Sequence, residues 1–243
     1  RGYVNGGKPY GVLLDFTALP QEPRTEGEKQ VFKQGLAALS LFYSHPHTVV
    51  LKVTELPEGY PNKSVHKYEQ PEGSNTAAYA QRGWCFAESA MSNLVKASNK
   101  VLDLSRLGGG STGQGLTWVV RDSQNERVPP LHPGEFKAEL DKMSFASKRR
   151  DFEKVAQLYA DAFNRYLGRA KELDYSGLGW DAEAMRKLLQ ALRGTAVTSL
   201  NLQANRLEDD GAAVLAASLQ GHKSLQVLNL QDNGIGDLGA ISL

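Results

Sequence analysis

Glu88 is the residue with the clearest potential for catalysis, because it follows Arg82, Trp84 and Cys85 within one short helical segment. A carboxylate can stabilise the oxocarbenium-like transition state that forms when a glycosidic bond breaks, or it can bind sugar hydroxyls. A structural role is the alternative, since an acid in the first helical turn is favoured by the helix dipole and Glu88 can pair with Arg82. We interpret Trp84 and Cys85 as core residues, because a reactive thiol needs a cationic, partly open setting.

Three other features have residue types that can bind ligands. Asp15 ends an apolar run, where α/β proteins bind ligands, although an aspartate there also commonly forms a turn. The glycine-rich loop 108–115 lacks the Lys-Ser/Thr ending of a phosphate-binding loop, which favours a flexible connection. His45 and His47 have no third ligand at a recognisable spacing, so the sequence predicts no metal site.

Alternating strands and helices must position these residues. Apolar runs predict buried strands at 10–16, 48–54 and 101–104, and helical periodicity predicts helices at 26–43 and 82–95. Thr25 and Glu28 have the spacing of a capping box at the start of the first helix. Strands that alternate with helices imply right-handed crossovers and a parallel sheet, so the fold class is α/β.

The chain divides into three predicted parts. Residues 1–107 form the parallel-sheet α/β domain, with a polar, proline-containing insertion at 57–75. A linker and a connecting helix occupy 108–172, with a short strand at 116–120 and the helix at about 151–173. The third part, 173–243, consists of repeats.

Two segments near the C-terminus repeat at an offset of 28 residues. The matched residues are Leu200, Leu202, Asn205 and Gly211, then Leu228, Leu230, Asn233 and Gly239. Alternating leucines predict a short strand, the asparagine amide can satisfy turn backbone groups, and a helical period follows. This is a leucine-rich repeat of the strand-plus-helix kind, similar to that of ribonuclease inhibitor. A looser copy begins at Leu173, and we expect further repeats after Leu243, because a solenoid needs at least ~3 repeats.

The upstream part resembles the Toll-receptor-like (TIR) and heterokaryon-incompatibility (HET) domains. Residues 12–21 resemble their apolar strand with an Asp-containing turn, and residues 82–88, Arg-Gly-Trp-Cys-Phe-Ala-Glu, resemble the Trp-Cys-x-x-Glu segment of plant-type TIR domains. With the repeats, the arrangement resembles multidomain proteins of dinoflagellates and other algae. The resemblance implies that Glu88 cleaves the nicotinamide–ribose bond of NAD. The implied ligand-binding residues are Asp15, Arg82 and Trp84.

Composition excludes several classes of protein. Lys and Arg total 28 against 27 Asp and Glu, and the longest basic run is 148–150, so a nucleic-acid or anionic-membrane binder is not expected. Cys85 is the only cysteine, which favours an intracellular compartment. No apolar stretch is long enough to predict a membrane span. Because the sequence starts at Arg1, we expect a piece of a longer protein.

These observations lead to two hypotheses. The first is a protein-interaction or scaffold protein without a cofactor, in which the repeats bind other proteins within a larger complex. The second is an NAD-cleaving hydrolase in which Glu88 acts on NAD as its substrate.

Overall fold

A computed structural model describes residues 4–5, 8–9, 11–14, 19–20, 23–55, 77–107, 116–123, 127–146, 148–220 and 222–243. The predicted insertion at 57–75, the glycine-rich loop 108–115 and Asp15 lie outside these residues. The chain divides into two compact units, residues 1–39 and residues 40–243. The predicted domain boundaries after residues 107 and 172 stay predictions.

The first unit contains two short strands and most of the first helix. Strands β1, Val4–Asn5, and β2, Lys8–Pro9, pair antiparallel. Helix α1, Glu26–Ser44, confirms the helix predicted at 26–43. Its capping box is also confirmed, because the backbone N–H of Thr25 donates to Glu28 Oε2 (2.8 Å) and the N–H of Glu28 donates to Thr25 Oγ1 (3.3 Å).

The strand predicted at 10–16 is wrong for its described residues. Residues 11–14 form no regular element, and Val12 is 83% exposed. An apolar run becomes a strand only where a neighbouring strand accepts its backbone hydrogen bonds. Within the described part of the chain, no strand pairs with this run.

The second unit contains the remaining elements. Its helices are α2 (Gly83–Ser92), α3 (Leu116–Ser123), α4 (Pro133–Asp141), α5 (Lys148–Ala162), α6 (Ala182–Leu192), α7 (Glu208–Leu219) and α8 (Asp237–Ser242). Its strands are β3 (Val50–Lys52), β4 (Val101–Asp103), β5 (Glu172–Asp174), β6 (Ser199–Asn201) and β7 (Val227–Asn229). The helix predicted at 82–95 and the strands predicted at 48–54 and 101–104 are therefore confirmed as α2, β3 and β4.

Strands β3 and β4 pair parallel, which confirms a parallel α/β arrangement. Val50 lies opposite Val101 and Lys52 lies opposite Asp103, and α2 lies between the two strands in the sequence. All three residues of β4 are buried. A parallel pair needs a crossover connection, and the helix supplies part of it.

The short strand predicted at 116–120 is wrong, because these residues start α3. Val119 and Val120 favour a strand by local preference, but local preference decides little when no strand lies beside the segment. The Ser123 hydroxyl donates to the carbonyl of Val119 four residues earlier, as in a helix.

The helix predicted at 151–173 ends earlier than expected. Helix α5 continues as a π-helical turn over Phe163–Leu167, which the Gly168 N–H closes by donating to the Phe163 carbonyl (2.9 Å). Leu173 belongs to β5, where it pairs with Leu200. Helix α4 was not predicted, although its signals are visible in the sequence: Pro133 opens it, and His132 Nδ1 accepts from the Gly134 N–H (3.3 Å).

Strands β5, β6 and β7 form a three-stranded parallel sheet, as the repeat pattern predicts. One hydrophobic core continues from Ala87 on α2, across α4 and α5, to Leu215 on α7. The rings of Phe136 and Tyr159 stack in it with centroids 3.7 Å apart. The first repeat is therefore packed against the segment that precedes it.

Candidate interaction surface

The outward side of the three-stranded sheet is a polar surface. Leu173 and Leu200 point inward and are buried, whereas their neighbours along β5 and β6 are exposed or half-buried. The outward positions of the strands and their following turns, here called the sheet face, are Glu172, Asp174, Ser199, Asn201, Gln203, Val227, Asn229 and Gln231.

Side-chain amides join neighbouring strands across the sheet face. Asn201 Nδ2 donates to Asp174 Oδ1 (3.0 Å), and Asn229 Nδ2 lies 3.5 Å from Gln203 Oε1. Gln203 Nε2 donates to Asp232 Oδ2 (3.4 Å). These contacts hold the amide groups in fixed positions, with donors and acceptors left for a partner.

Each outward residue at a strand's end also caps its own turn. Asp174 Oδ1 accepts from the N–H of Ser176 (3.0 Å), Asn201 Oδ1 from that of Gln203 (3.1 Å) and Asn229 Oδ1 from that of Gln231 (3.0 Å). The same hydrogen bond recurs after all three strands, because Asp and Asn side chains readily bond the backbone two residues later.

The sheet face is acidic and rich in amides. It contains the carboxylates of Glu172 and Asp174, and none of its eight positions is a lysine or arginine. Such a surface complements a partner that presents ammonium, guanidinium or other N–H donors.

Behind the sheet face, two buried asparagines connect the repeats. Asn205 Oδ1 accepts from the N–H groups of Leu178 (3.1 Å) and Trp180 (3.0 Å), and its Nδ2 donates to the carbonyls of Tyr175 (2.9 Å) and Leu202 (2.8 Å). One amide thus ties the first repeat to the second.

Asn233 repeats only half of this pattern. Its Nδ2 donates to the carbonyls of Leu202 and Leu230, both at 2.9 Å, but its buried Oδ1 accepts no hydrogen bond from a described residue. The N–H of Glu208, which corresponds to that of Trp180, donates instead to the Asn233 backbone carbonyl (3.0 Å). The leucines of this last repeat, Leu228 and Leu230, are half-buried, whereas Leu202 is fully buried.

Glu88, the predicted catalytic residue, lies half-buried in the middle of α2, outside the helix's first turn. The alternative prediction, that Glu88 is an acid in the first turn of the helix and is favoured there by the helix dipole, is therefore wrong. Burial is the main cause that raises the pKa of the Tyr79 phenol. The nearby charges of Cys85 and Glu88 raise this pKa further.

The predicted ligand-binding residues Arg82 and Trp84 bond to different neighbours. Arg82 Nε donates to the Ala77 carbonyl (2.6 Å), and Trp84 Nε1 donates to Asp151 Oδ2 on α5 (3.3 Å). Gly83 between them lies so close to the Phe145 ring that a Cβ would approach it to 2.0 Å. This segment therefore fixes the start of α2, while Asp15 lies outside the described residues.

A cationic cluster of the buried Lys96 and Arg127 with the half-buried Lys52 was not predicted. Burial lowers the pKa of Lys96 to about 7, with smaller contributions from Arg127 and Lys100. Burial also lowers the pKa of Arg127 to about 10. The pKa of Lys52 is lowered by burial as well, and the negative charge of Asp103 partly offsets this decrease. No sequence signal pointed to these residues, because they come from three separate segments.

The described residues contain neither a candidate metal site nor a candidate membrane-spanning helix. No group of three or more His, Cys, Asp or Glu side chains is arranged to hold a metal ion. None of the described helices has the length and apolar character required to cross a membrane.

Comparison with known families agrees with the repeat geometry. Residues 195–216 and 221–243 match the family described as Leucine Rich repeat. No curated protein and no solved structure matches the chain. Proteins built from such repeats generally bind other proteins through the extended surface that the stacked strands create. The region 195–243 therefore contains two leucine-rich repeats, and their strands form two of the three rows of the sheet face.

Proposed function

We propose that this protein is an interaction protein that binds a protein partner through the sheet face. The observation that carries the proposal is the ordered row of Asp174, Asn201 and Asn229 across three paired strands, of which the second and third lie in the regions that match leucine-rich repeats. Its scaffold role, as a subunit of a larger complex, belongs to the same proposal. The near-zero net charge of +1 supports recognition by local contacts and disfavours a nucleic-acid partner.

The partner's binding surface is basic or rich in N–H donors. The acidic and amide groups of the sheet face offer acceptors at fixed spacing, and they would repel an acidic partner. The single cysteine supports an intracellular setting for this interaction.

The test compares charge reversals on and off the sheet face. Asp174→Lys should abolish capture of a partner from native lysate, while Glu183→Lys on α6, an exposed acid away from the strands, should leave capture unchanged. Quantitative mass spectrometry of the captured proteins measures both. Equal capture by all three proteins, or no capture by the wild type, contradicts the proposal.

NAD cleavage by Glu88 is the second candidate function. It is supported by the half-buried position of Glu88 in the middle of α2 and by its closeness to Tyr79, whose phenol its charge affects. Incubation with NAD should release nicotinamide from the wild type and not from Glu88→Ala. The absence of release from wild type and variant alike would exclude this activity.

A further inference from the structure

The two ends of the three-stranded sheet carry opposite charge. Because β5, β6 and β7 run parallel, the segments that precede the strands lie together at one end of the sheet, and the segments that follow them lie together at the other. The segments before the strands, here called the amino-end surface, are 166–171, 193–198 and 222–226. The segments after the strands and their first turns, here called the carboxyl-end surface, are 177–183, 204–210 and 232–238.

The amino-end surface is basic. Its three segments contain no Asp or Glu and four Lys or Arg residues, which are Arg169, Lys171, Arg193 and Lys223. All four side chains are exposed, and none of them forms an ion pair with a described residue. This includes Glu172, the first residue of β5 and the acid nearest to them in the sequence. The positive charge at this end of the sheet is therefore not neutralised by an ion pair within the described part of the chain.

The carboxyl-end surface is acidic. Its three segments contain seven Asp or Glu residues and one cation, Arg206. One of the seven, Glu183, is paired with Arg186 and Lys187 on its own helix. Others, including Asp210 and Asp237, are exposed. Each of the three strands is therefore preceded by at least one cation and followed by at least one carboxylate.

Helix stability explains only part of this separation. An acid in the first turn stabilises a helix through the helix dipole, and Glu183, Glu208 and Asp237 lie in the first turns of α6, α7 and α8. Lys171 and Lys223 lie outside the helices, beyond the last turn in which the dipole acts. The charge of the amino-end surface is therefore not a consequence of helix stability.

The two surfaces match each other in spacing as well as in charge. Adjacent strands of a sheet lie about 4.8 Å apart, and both surfaces contribute one segment per strand. The three basic segments of one copy can therefore face the three acidic segments of another copy in the same order. An extended polyanion such as nucleic acid fits less well, because the net charge of the chain is only +1 and the opposite end of the same sheet would repel it.

We propose that copies of this chain associate head to tail, with the amino-end surface of one copy against the carboxyl-end surface of the next. Each contact joins two different surfaces, so a dimer still has one free surface of each kind and the assembly stays open. Exposed ion pairs are individually weak and are screened by salt, so the association is weak and salt-dependent. Neither surface contains Glu88 or a residue of the sheet face, so this proposal is independent of the proposed function.

The first experiment measures self-association of the full chain by sedimentation velocity. At about 20 mM NaCl the weight-average sedimentation coefficient should rise continuously with protein concentration, and at about 500 mM NaCl it should stay at the monomer value. A coefficient that does not depend on protein concentration at low salt overturns the proposal, and so does a curve that levels off at a dimer. Equal association at both salt concentrations also overturns it, because such an association would depend on apolar contacts.

Charge reversals assign the association to the two surfaces. Lys171→Glu combined with Lys223→Glu makes both surfaces acidic, and Asp210→Lys combined with Asp237→Lys makes both more basic. Each double variant alone should associate at least about tenfold more weakly than the wild type, because like charges then face each other. An equimolar mixture of the two double variants should associate again, because every contact between them joins opposite charges. A mixture that sediments as monomers contradicts the assignment.

Control variants make the same changes in net charge elsewhere. Lys137→Glu with Lys142→Glu, and Glu139→Lys with Glu153→Lys, alter exposed side chains on and near α4 and α5. Both controls should associate as the wild type does. An equal loss in the controls would show that net charge alone governs the association, which contradicts the proposal.

Two further measurements complete the test. Circular dichroism verifies that each variant is folded, and a variant that unfolds is replaced by Arg169→Glu with Arg193→Glu or by Glu208→Lys with Asp232→Lys. Fluorescence anisotropy of a short labelled DNA duplex at low salt should show no binding by the wild type. Binding that is lost in the Lys171→Glu, Lys223→Glu variant would assign the amino-end surface to nucleic acid and overturn the proposal.

Discussion

At the scale of single residues, Asn205 and Asn233 occupy equivalent positions in successive repeats but form different sets of hydrogen bonds. Asn205 uses both ends of its amide between two repeats, whereas the Oδ1 of Asn233 accepts no bond from a described residue. The free energy that each contributes should differ accordingly.

Asn205→Ala should lower the free energy of unfolding by about 3 kcal/mol, because it leaves buried backbone groups of both repeats without partners. Asn233→Ala should cost less, about 1–2 kcal/mol, because only its Nδ2 bonds are lost. Urea unfolding of the two variants measures the difference. An equal loss in both would show that the Oδ1 bonds of Asn205 contribute nothing.

Lys96 should make stability depend on pH. Its pKa falls from an ordinary 10.5 to about 7 in the folded protein, so the unfolded chain binds the extra proton between these values. The free energy of unfolding should therefore rise with pH above about 7, by on the order of 1–2 kcal/mol up to about pH 9.5. Lys96→Met should remove that rise, and Lys137→Met, an exposed lysine, should keep it. Parallel slopes in all three proteins would contradict the assignment to Lys96.

At the scale of elements, the sequence predicted best where a local pattern and its partner lie close together. The 28-residue repeat and the Thr25–Glu28 capping box are local signals, and both describe the structure. Residues 116–120 and 11–14 have equally apolar patterns but are not strands in the structure, because a strand depends on a neighbour that the pattern does not contain.

The candidate sites were less predictable for the same reason. The sheet face follows from strand alternation, so its outward residues could be read from the sequence once the repeats were aligned. The cationic cluster could not, because Lys52 and Lys96 come within the electrostatic influence of Arg127 only when β3, the segment after α2 and the segment before α4 pack together. Whether Glu88 acts on NAD stays a prediction.

Equivalent leucines in successive strands should differ in their contribution to stability. Leu200 on β6 is fully buried, whereas Leu228 on β7 is half-buried. Leu200→Ala should therefore cost about 2–5 kcal/mol, and Leu228→Ala about half of that or less. Chemical denaturation of both variants measures this. A larger loss at Leu228 would mean that the burial of the last strand is greater in solution than in this structure.

At the scale of the whole molecule, the first repeat is continuous with the part of the chain before it. The Tyr175 hydroxyl donates to the Leu94 carbonyl and Trp180 Nε1 donates to the Arg127 carbonyl, within a core that spans Ala87 to Leu215. The repeats are thus anchored at one end by residues outside them.

A fragment of residues 173–243 should not fold cooperatively by itself. Removal of the preceding residues would expose Tyr175, Trp180 and other core side chains of the first repeat. Circular dichroism of the fragment during heating should show weak helix signal and no sharp transition, whereas the full chain should unfold sharply. A cooperative transition in the fragment would instead support the predicted boundary at residue 173 as an independent folding unit.

The register of the sheet also has a kinetic consequence. Leu173 pairs with Leu200 and Leu200 with Leu228, so each strand becomes ordered against the strand before it, and the first strand is stabilised by the core that precedes it, where the Tyr175 hydroxyl bonds to the Leu94 carbonyl. The strands should therefore become ordered one after another, starting from the anchored end. In pulse-labelled hydrogen exchange during refolding, the amides of Tyr175 and Gly177, which bond to the second repeat, should be protected before those of Leu202 and Ala204, which bond to the third. Protection in the opposite order would mean that folding starts at the last repeat.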